Sequence, residues 1–595
     1  MADAGDHADR NEIKPYRIHV STKYLELTKR KLELTRLPHE GSTHKPEDWW
    51  EPKPQVERLI DFWLDKYSWR DQERILNDSL PQFRTAIALP SLESPLRIHF
   101  IHIRSPHANA IPLLLIPPFP FTNLSLSHVA KAFTSPEDGS ASHQRFHLVI
   151  PSLPGLGFSD PLPYNAPAIS TAADLLDALM ARLSYPSYLV TNTGAASPSP
   201  AGIDGRLIDS LATRHAATCL GAHLISPPLA PPRPRDAPWE WAKWSVANFF
   251  HAGILGYSDD DFAALRRAYM SSPSPSSPTP TSASSASRQP ARPSAGPGGL
   301  ASGLGLGLLL RDPNALAYAL CDSPTGLLVC VMLGLRALGA SPSQRRGSFS
   351  REQVVTLAEL AWLPGPEYAM RFWARCEAGR GDDDGAEEEA AGKGRGRGKR
   401  VASDSRPRVA ITVFLGGEDV DEAGGGGGLT GAEGDDDEVD VLPELKQGED
   451  ARERYVFPTW GNARYDVVYT QRVKGRPGLL AWERPEVIAA GVAGLAKEVL
   501  RLDKRLEPAV SETHTVPLQR VVVQAENTGK DQGPLTKGKD LARQQVEGPA
   551  ESSRRRSVTR PEDSGKGKGK EVEPPRRTLA ERQGPDALPV LTSPV

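Results

Sequence analysis

One stretch of this sequence has the form of a turn that could present a nucleophile. Residues 190–204 read VTNTGAASPSPAGID, with an apolar run (YLV) leading in and a helical pattern (LIDSLATRH) leading out. In enzymes, a sharp strand-to-helix turn of this kind exposes a reactive side chain above the end of a strand. The only carboxylate in the stretch is Asp204, and a carboxylate can form a covalent ester with an electrophile. Asp204 is therefore the first candidate nucleophile.

The position of Asp204 relative to the following helix argues for a simpler role. Ser199 and Pro200 have the residue types of an N-cap and a first helical position. This predicts that Asp204 lies about one turn inside the helix, where an acid near the positive end is stabilising. Four residues of the same helix lie on one apolar face: Ile203, Leu207, Ile208 and Leu211. We favour this structural role and keep nucleophilic attack by Asp204 as the alternative.

A general base is the second requirement of such chemistry. An ester intermediate is hydrolysed by water, which a side chain of near-neutral pKa must activate. Beyond His251 the only histidine is His514, within the segment SETHTVP. The residues around His514 are typical of a solvated tail. The sequence therefore predicts no general base beyond His251.

The elements that must position these residues alternate between strand and helix. ERLIDFWLDKYSWRDQERILNDSLPQF has helical spacing, PLRIHFIHIRS alternates like a half-buried strand, and IPLLLIPPF and RFHLVIPSL are short apolar runs typical of buried strands. TAADLLDALMARL and GRLIDSLATRH predict helices, and YLV, CLGAHLISPP and VAITVFL predict strands. This order predicts an α/β fold with a mainly parallel sheet flanked by helices.

Composition separates the ordered part of the chain from long polar tracts. The 595 residues include 55 Pro and 52 Gly, concentrated in tracts with little apolar surface to bury. Three segments are predicted to be disordered: the Ser/Pro-rich stretch from Ser271, the Gly- and acid-rich region from about residue 379 to 453, and the tail from about Pro508. GGGGG at 424–428 lacks the Lys-Ser/Thr of a phosphate loop.

Charge and cysteine content exclude several classes of partner. The 71 basic and 74 acidic residues give a net charge of -3, so no global field favours nucleic acid or an anionic membrane. The four cysteines lack metal-binding spacing, and the Asp-rich clusters lack the pattern of a calcium loop. We expect no cofactor, no metal, no nucleic-acid partner and no membrane span, and a reduced compartment, the cytosol or the nucleus.

Six motifs in order along the chain resemble the epoxide hydrolases of the microsomal type. They are KRKLELTRLP (29–38), WLDKYSWRDQERILN (63–77), IHFIHIRS (98–105), PSLPGLGFSDP (151–161), ALCDSPTGLL (319–328) and AWERPEVI (481–488). The resemblance implies an α/β-hydrolase fold with an N-terminal meander and a helical cap. It also makes packing, not a ligand cage, the expected role of Trp49, Trp50, Trp63 and Trp69.

The resemblance implies a two-step mechanism whose residues can be compared with this chain. In that family an aspartate attacks the epoxide, a histidine oriented by an acid activates water, and two cap tyrosines protonate the opening oxygen. Here Gly194 occupies the position of the aspartate and Gly478 that of the histidine. The acid could be Glu418, Asp419 or Asp421, which follow the strand VAITVFL.

The remaining family positions also differ. The turn that supplies the family's oxyanion donors contains Pro117 and Pro118 here, and proline has no N–H to donate. Of the two cap tyrosines, one corresponds to a residue near Gly305 and the other to Trp373, whose indole can donate a hydrogen bond but not a phenolic proton. Tyr318 and Tyr368 could be repositioned donors, and we favour ordinary packing for both.

We therefore predict an epoxide hydrolase-like pseudoenzyme that binds a small apolar ligand or a protein partner. The alternatives are an active hydrolase rebuilt around Asp204, with Glu418 and a tyrosine, and a platform whose function lies in its disordered segments. The expected α/β core is in two parts, 96–228 and 455–507, preceded by a meander at 13–95. Between the two parts we expect a cap at 229–380, with a disordered insert at 271–300, and a low-complexity insert at 381–454 that contains a core strand at 409–415. Residues 1–12 and 508–595 are expected to be disordered.

Overall fold

The computed structural model describes residues 12–39, 53–134, 144–194, 199–270, 313–338, 349–379, 406–416 and 455–507, which all belong to one compact unit. Its strands are β1 (Lys14–Pro15), β2 (Gln82–Ile87), β3 (Leu96–Ile103), β4 (Ile111–Ile116), β5 (Phe146–Pro151), β6 (Tyr188–Asn192), β7 (Cys219–Ile225), β8 (Arg408–Phe414) and β9 (Asp466–Val473).

Four α-helices of the described chain precede strand β5: α1 (Thr22–Glu33), α2 (Lys53–Asp65), α3 (Trp69–Ser79) and α4 (Ala130–Thr134). The helices that follow are α5 (Ala168–Arg182), α6 (Ile203–Arg214), α7 (Pro238–Phe250), α8 (Asp259–Met270), α9 (Pro313–Asp322), α10 (Pro324–Ala337), α11 (Arg351–Trp362), α12 (Glu367–Ala378), α13 (Leu480–Glu483) and α14 (Pro485–Leu502).

The strands form one sheet in the order β1-β2-β3-β5-β4-β6-β7-β8-β9. Strands β1, β2, β3 and β5 pair antiparallel in succession, and every neighbouring pair from β5 to β9 is parallel. Strands β6 and β7 are buried along their whole length, as expected for strands covered by helices on both faces. The mainly parallel α/β sheet predicted from the sequence is confirmed.

Three strands were not predicted, and their positions in the sheet explain why. Strand β9 is an edge strand with a half-buried DVVYTQRV sequence, so it has no continuous apolar run. Strands β1 and β2 lie at the opposite edge. The long helical pattern before β2 divides into α2 and α3 because Ser68 caps α3, its hydroxyl accepting the N–H of Asp71 at 3.4 Å.

Helices cover both faces of the sheet and meet separate apolar clusters. On one face, α5 and α6 bury residues such as Leu176 and Leu207 against the strands. On the other, α14 buries residues such as Val492 and Val499. The carboxyl ends of β4 and β6 lead into the turns at 117–121 and 193–194, where the candidate site lies. Helices α7 to α12, which lie between β7 and β8 in the chain, are called the cap below.

The N-terminal meander packs directly against the cap. Leu59 and Ile60 of α2 share a buried cluster with cap helices α10 and α11. The indole N–H of Trp63 donates to Glu359 at 2.9 Å, and that of Trp362 donates to Thr28 at 2.8 Å. Trp63 and Trp69 are buried, which confirms their packing role, while Trp49 and Trp50 lie outside the described residues.

Two other expectations depend on the extent of the described chain. The segments predicted to be disordered fall largely outside the described residues, so their disorder stays a prediction, as do the domain boundaries. The core strand expected at 409–415 is observed as β8. Among the described helices, none is by itself long and apolar enough to cross a bilayer. Asn314–Asp322 and Pro324–Leu335 reach that length and composition only together, across a bend of 111°.

Candidate functional site

The start of the turn after β6 is buried and tightly packed at Gly194. Gly194 has a φ of +65°, a left-handed conformation that favours glycine. A Cβ at this position would lie 3.0 Å from Cγ2 of Ile225 and 3.0 Å from Cδ2 of Leu480. The volume directly above Gly194 is therefore occupied by two apolar side chains, while residues 195–198 lie outside the described chain.

The segment that follows Gly478 supplies part of this apolar filling. Gly478 also has a positive φ, +58°, and a Cβ there would lie 2.8 Å from the carboxyl carbon of Glu483. Leu479 and Leu480 are fully buried, and the ring of Trp482 packs against Phe121 with centroids 6.0 Å apart. Gly478 occupies the position of the family's histidine. The residues that follow it, Leu480 and Trp482, contact the turn after β6 and the turn after β4.

One histidine that the sequence analysis did not single out contacts this segment. His128, on the 3₁₀ helix Asn123–Val129, places its Nε2 2.9 Å from the carbonyl oxygen of Ala481. Burial lowers its pKa, and a carbonyl partner requires Nε2 to carry the proton. The contact joins residues 353 positions apart, so no local pattern could have predicted it.

Two other histidines inside the sheet are held neutral and serve as packing groups. Burial lowers the pKa of His99 to about 3 and that of His223 to about 3. His223 bridges the hydroxyls of Thr191, at 2.9 Å, and Thr412, at 2.7 Å, across three neighbouring strands. His514, which the sequence analysis placed in a solvated tail, lies outside the described residues.

Asp204 lies in the first turn of α6, but the helix starts later than the sequence suggested. A 3₁₀ turn at Pro200–Gly202 precedes it, and Gly202 in a left-handed conformation is the N-cap, so the expected start at Pro200 is wrong. Ser199 still acts at this helix end: its hydroxyl donates to the Asp204 carboxylate and accepts the N–H of Asp204 at 3.3 Å.

The carboxylate of Asp204 is buried, and this determines its electrostatics. Burial raises the pKa of Asp204 to about 6, and the backbone N–H groups of Asp204 and Gly205 oppose that shift by hydrogen bonding to the charged form. The residue is therefore a helix-end acceptor with a perturbed pKa. Its expected partner Glu418 lies outside the described residues, as do Asp419 and Asp421.

Neither candidate tyrosine occupies a buried donor position. Tyr318 on α9 is 82% exposed, so the ordinary packing expected for it is wrong as well as the donor role. Tyr368 on α12 is partly exposed and lies under the guanidinium of Arg371, 5.4 Å from its ring centre. Gly305 lies outside the described chain.

Within the described residues no group of three or more His, Cys, Asp and Glu side chains could hold a metal ion.

The turn after β4 connects the core to the cap through aromatic contacts. Pro117 and Pro118 are buried at its start, where neither can donate a backbone hydrogen bond. The next residue, Phe119, meets the ring of Trp373 edge-on at 6.2 Å. Trp373, which is on the cap helix α12 at the expected tyrosine position, is buried at this contact.

An apolar cavity of about 90 Å³ lies between this turn and the cap helices α9 to α12. Its walls are mostly aliphatic and aromatic, and they include Phe121, Leu156, Leu327, Val331, Met370 and Trp373. Two lining residues carry buried polar atoms that have no hydrogen-bond partner within the described part of the chain, Oγ1 of Thr122 and Nε1 of Trp373. A site of this composition suits a small apolar molecule that carries one hydrogen-bonding group. Sequence patterns did not indicate this cavity.

Comparison with known proteins matches residues 13–126 to the family model "Epoxide hydrolase N terminus". The chain is 32% identical over 204 residues to "Putative epoxide hydrolase" of Stigmatella aurantiaca, a match that covers 32% of this chain and 44% of that protein. It is 27% identical over 216 residues to juvenile hormone epoxide hydrolase 1 of Ctenocephalides felis, covering 36% and 42%. The matched region thus spans less than half the length of these relatives.

Solved structures extend the similarity over most of the fold. The crystal structure of juvenile hormone epoxide hydrolase from Bombyx mori aligns with a TM-score of 0.54 and 18% identity, over 82% of this chain and 95% of that one. The Aspergillus niger epoxide hydrolase aligns with a TM-score of 0.50 and 16% identity, over 82% and 97%. At these identities the comparison establishes the fold alone.

Proposed function

We propose that this chain, which is related to the epoxide hydrolases and has their α/β-hydrolase fold, binds a small apolar ligand without hydrolysing epoxides. The observation that carries the proposal is the tight packing at Gly194, where even a Cβ would lie 3.0 Å from side-chain carbons of Ile225 and Leu480. A nucleophile has to reach the reacting atom to form an ester. Apolar packing at the elbow removes that access.

The ligand-binding half of the proposal is supported by the cavity under the cap. Its aliphatic lining favours an apolar molecule. The indole N–H of Trp373, which no described residue accepts, favours a molecule with a hydrogen-bond acceptor such as an ether, epoxide or carbonyl oxygen. We propose that the protein works in the cytosol or the nucleus. Protein partners that bind residues 508–595 are a separate proposal, and removal of those residues would leave ligand binding unchanged.

A hydrolase rebuilt around Asp204 is the competing proposal, favoured by the burial and raised pKa of that carboxyl group. Its weakness is geometric, because the carboxylate is already engaged by the Ser199 hydroxyl and by the N–H groups that open α6. The two proposals differ in whether a panel of aryl and alkyl epoxides yields diols, and whether Asp204→Ala abolishes that turnover.

We expect the purified protein to bind trans-stilbene oxide saturably, in titration calorimetry, and to produce no diol. Gly334 lines the cavity, and a Cβ there would meet only Cζ of Phe121, at 3.6 Å, so Gly334→Leu fills the cavity without disturbing the backbone. We expect this variant to bind at least about tenfold more weakly. Gly205→Leu is the matched control, since a Cβ there meets nothing within 4 Å. Diol formation that depends on Asp204 would contradict the proposal.

We expect Gly194→Asp with Gly478→His to remain inactive, although it restores both family residues. A left-handed φ costs a residue with a Cβ about 1–2 kcal/mol, and the contacts at 3.0 Å with Ile225 and Leu480 add to that. Diol assays and urea unfolding would show no gain of activity and a lower free energy of unfolding. Gly194→Ala should be destabilised as well, whereas the helical control Gly205→Ala should be neutral or stabilised. Restored turnover would show that the elbow is still competent.

A further inference from the structure

Helix α10 places a cysteine on the wall of the cavity under the cap. Four of its residues line that cavity at the spacing of one helical face: Leu327, Cys330, Val331 and Gly334. Cys330 is also exposed to solvent, whereas Leu327 and Val331 are buried. A side chain that both lines a cavity and reaches solvent lies at its mouth. Cys330 therefore gives the cavity a thiol at its mouth, and a thiolate is a strong nucleophile.

The same cavity is lined by two residues whose polar atoms a bound ligand can satisfy. Thr122 is 5% exposed and Trp373 is 4% exposed. Oγ1 of Thr122 and Nε1 of Trp373 have no hydrogen-bond partner within the described part of the chain, which is unfavourable for buried polar atoms. An indole only donates, so the group that satisfies Trp373 has to be an acceptor. The cavity therefore suits an apolar molecule with an oxygen acceptor.

The surroundings of the Cys330 thiol make it a slow nucleophile by itself. They shield the sulfur from water and so raise the pKa of Cys330, which leaves little of the reactive thiolate at neutral pH. Cys321 on α9 is a natural comparison, because it is exposed and is not among the residues that line the cavity. Desolvation and the Glu367 carboxylate raise the pKa of Cys321 to about 11. Since the pKa of both thiols is raised, a much faster reaction of Cys330 would indicate that the reagent binds beside it.

We propose that Cys330 captures apolar α,β-unsaturated carbonyl compounds that bind in the cavity under the cap. Such a compound combines an apolar body, an oxygen acceptor and a soft electrophilic carbon. These three features correspond to the aliphatic walls, the indole N–H of Trp373 and the thiol of Cys330. The inference rests on the ligand-binding proposal and adds a covalent step to it.

The covalent step is a conjugate addition that needs no co-reactant. The sulfur of Cys330 forms a bond to the β-carbon as the C=C π bond breaks, and the electrons move to the carbonyl oxygen. A hydrogen bond from Trp373 to that oxygen stabilises the developing negative charge. The proton of the thiol ends on the α-carbon, so the product is a thioether.

The test is mass spectrometry of the full chain treated with benzylideneacetone, an apolar enone. We expect alkylation of Cys330 to saturate with reagent concentration and to exceed that of Cys321 at least about tenfold, because bound reagent is held beside the sulfur. Gly334→Leu fills the cavity, so it should slow the reaction of Cys330 at least about tenfold and leave Cys321 unchanged. Trp373→Phe keeps an aromatic ring without the N–H and should slow the reaction of Cys330 severalfold.

The matched control is Cys321→Ser, in which Cys330 should react as in the parent. Circular dichroism checks that all variants are folded. Alkylation of Cys330 that is linear in reagent concentration and no faster than that of Cys321 would overturn capture, because it would be a random surface reaction.

Benzylacetone, the saturated analogue, separates capture from ligand binding. It keeps the ring and the carbonyl oxygen but lacks the electrophilic carbon. We expect it to bind Cys330→Ser in titration calorimetry, to protect Cys330 of the parent from benzylideneacetone, and to form no adduct. Binding of both ketones without an adduct at Cys330 would overturn capture and leave the ligand-binding proposal standing. If neither ketone binds, capture is overturned, and trans-stilbene oxide shows whether the cavity binds ligands at all.

Discussion

Replacing Arg472 with methionine is expected to lower the free energy of unfolding by about 3–5 kcal/mol, because it leaves a buried carboxylate without its counter-ion. Asp261 is 0% exposed and accepts two hydrogen bonds from Arg472, from Nε at 2.7 Å and Nη2 at 2.8 Å. The hydroxyl of Tyr455 donates to the same carboxylate at 2.5 Å. The ion pair joins the cap helix α8 to strand β9 of the core.

Urea unfolding of the parent and Arg472→Met measures this difference. The control is Arg501→Met, which breaks the exposed pair of Arg501 with Glu498, 3.0 Å apart, and should cost less than about 1 kcal/mol. Equal stability losses in the two variants would mean that the Asp261 carboxylate is not the desolvated partner seen in the structure. Exchange of Asp261 and Arg472 for apolar residues together should cost less than losing Arg472 alone.

The second large effect expected is a pH dependence of the free energy of unfolding that comes from Glu359, on helix α11. Its side chain is buried, and its Oε1 accepts the indole N–H of Trp63 at 2.9 Å. Its Oε2 has no hydrogen-bond partner among the residues that the structure describes. Burial raises the pKa of Glu359 from 4.5 to about 7, while the Trp63 hydrogen bond opposes the shift. The folded protein therefore holds this proton at pH values where the unfolded chain has released it.

The sign of the pH dependence follows from that difference. Between about pH 4.5 and 7 the folded state binds more protons than the unfolded one, so the contribution of Glu359 is fully present below pH 4.5 and is lost as the pH rises to 7. The loss amounts to about 3 kcal/mol. Glu359→Gln keeps an acceptor for Trp63 and removes the ionisation, so it should be more stable than the parent at pH 8.

The measurement is the free energy of unfolding of the parent and Glu359→Gln from pH 4.5 to 8. Only their difference isolates Glu359, because the lowered pKa values of His99 and His223 act in the opposite direction over part of the range. Glu33→Gln, an exposed helical glutamate, is the control and should parallel the parent. A difference that does not change with pH would show that Glu359 is not desolvated in the folded protein.

Local sequence patterns predicted the mainly parallel centre of the sheet and the helices that flank it, but not the strands at its edges. Apolar runs such as IPLLLI and CLGAHLI predicted buried parallel strands because a strand covered on both faces has no polar side. The amphipathic spacing of Ile203, Leu207 and Leu211 predicted the buried face of α6 for a similar reason. The motifs at 29–38 and 63–77 predicted the epoxide hydrolase N terminus that the comparison found at 13–126. Strand β9 was missed because it is only half-buried, and its sequence DVVYTQRV has neither a long apolar run nor a regular alternation of polar and apolar residues.

The sequence by itself also determined that glycine stands at 194 and 478 and that no histidine other than His514 follows His251. Only the tertiary structure decided what surrounds those positions, because Ile225 and Leu480 reach Gly194 from other elements of the fold. The cavity under the cap, the buried Asp261 pair and the contact of His128 with Ala481 likewise join residues far apart in the chain. Local spacing reports which face a residue takes, whereas packing, desolvation and hydrogen-bond partners depend on which elements meet.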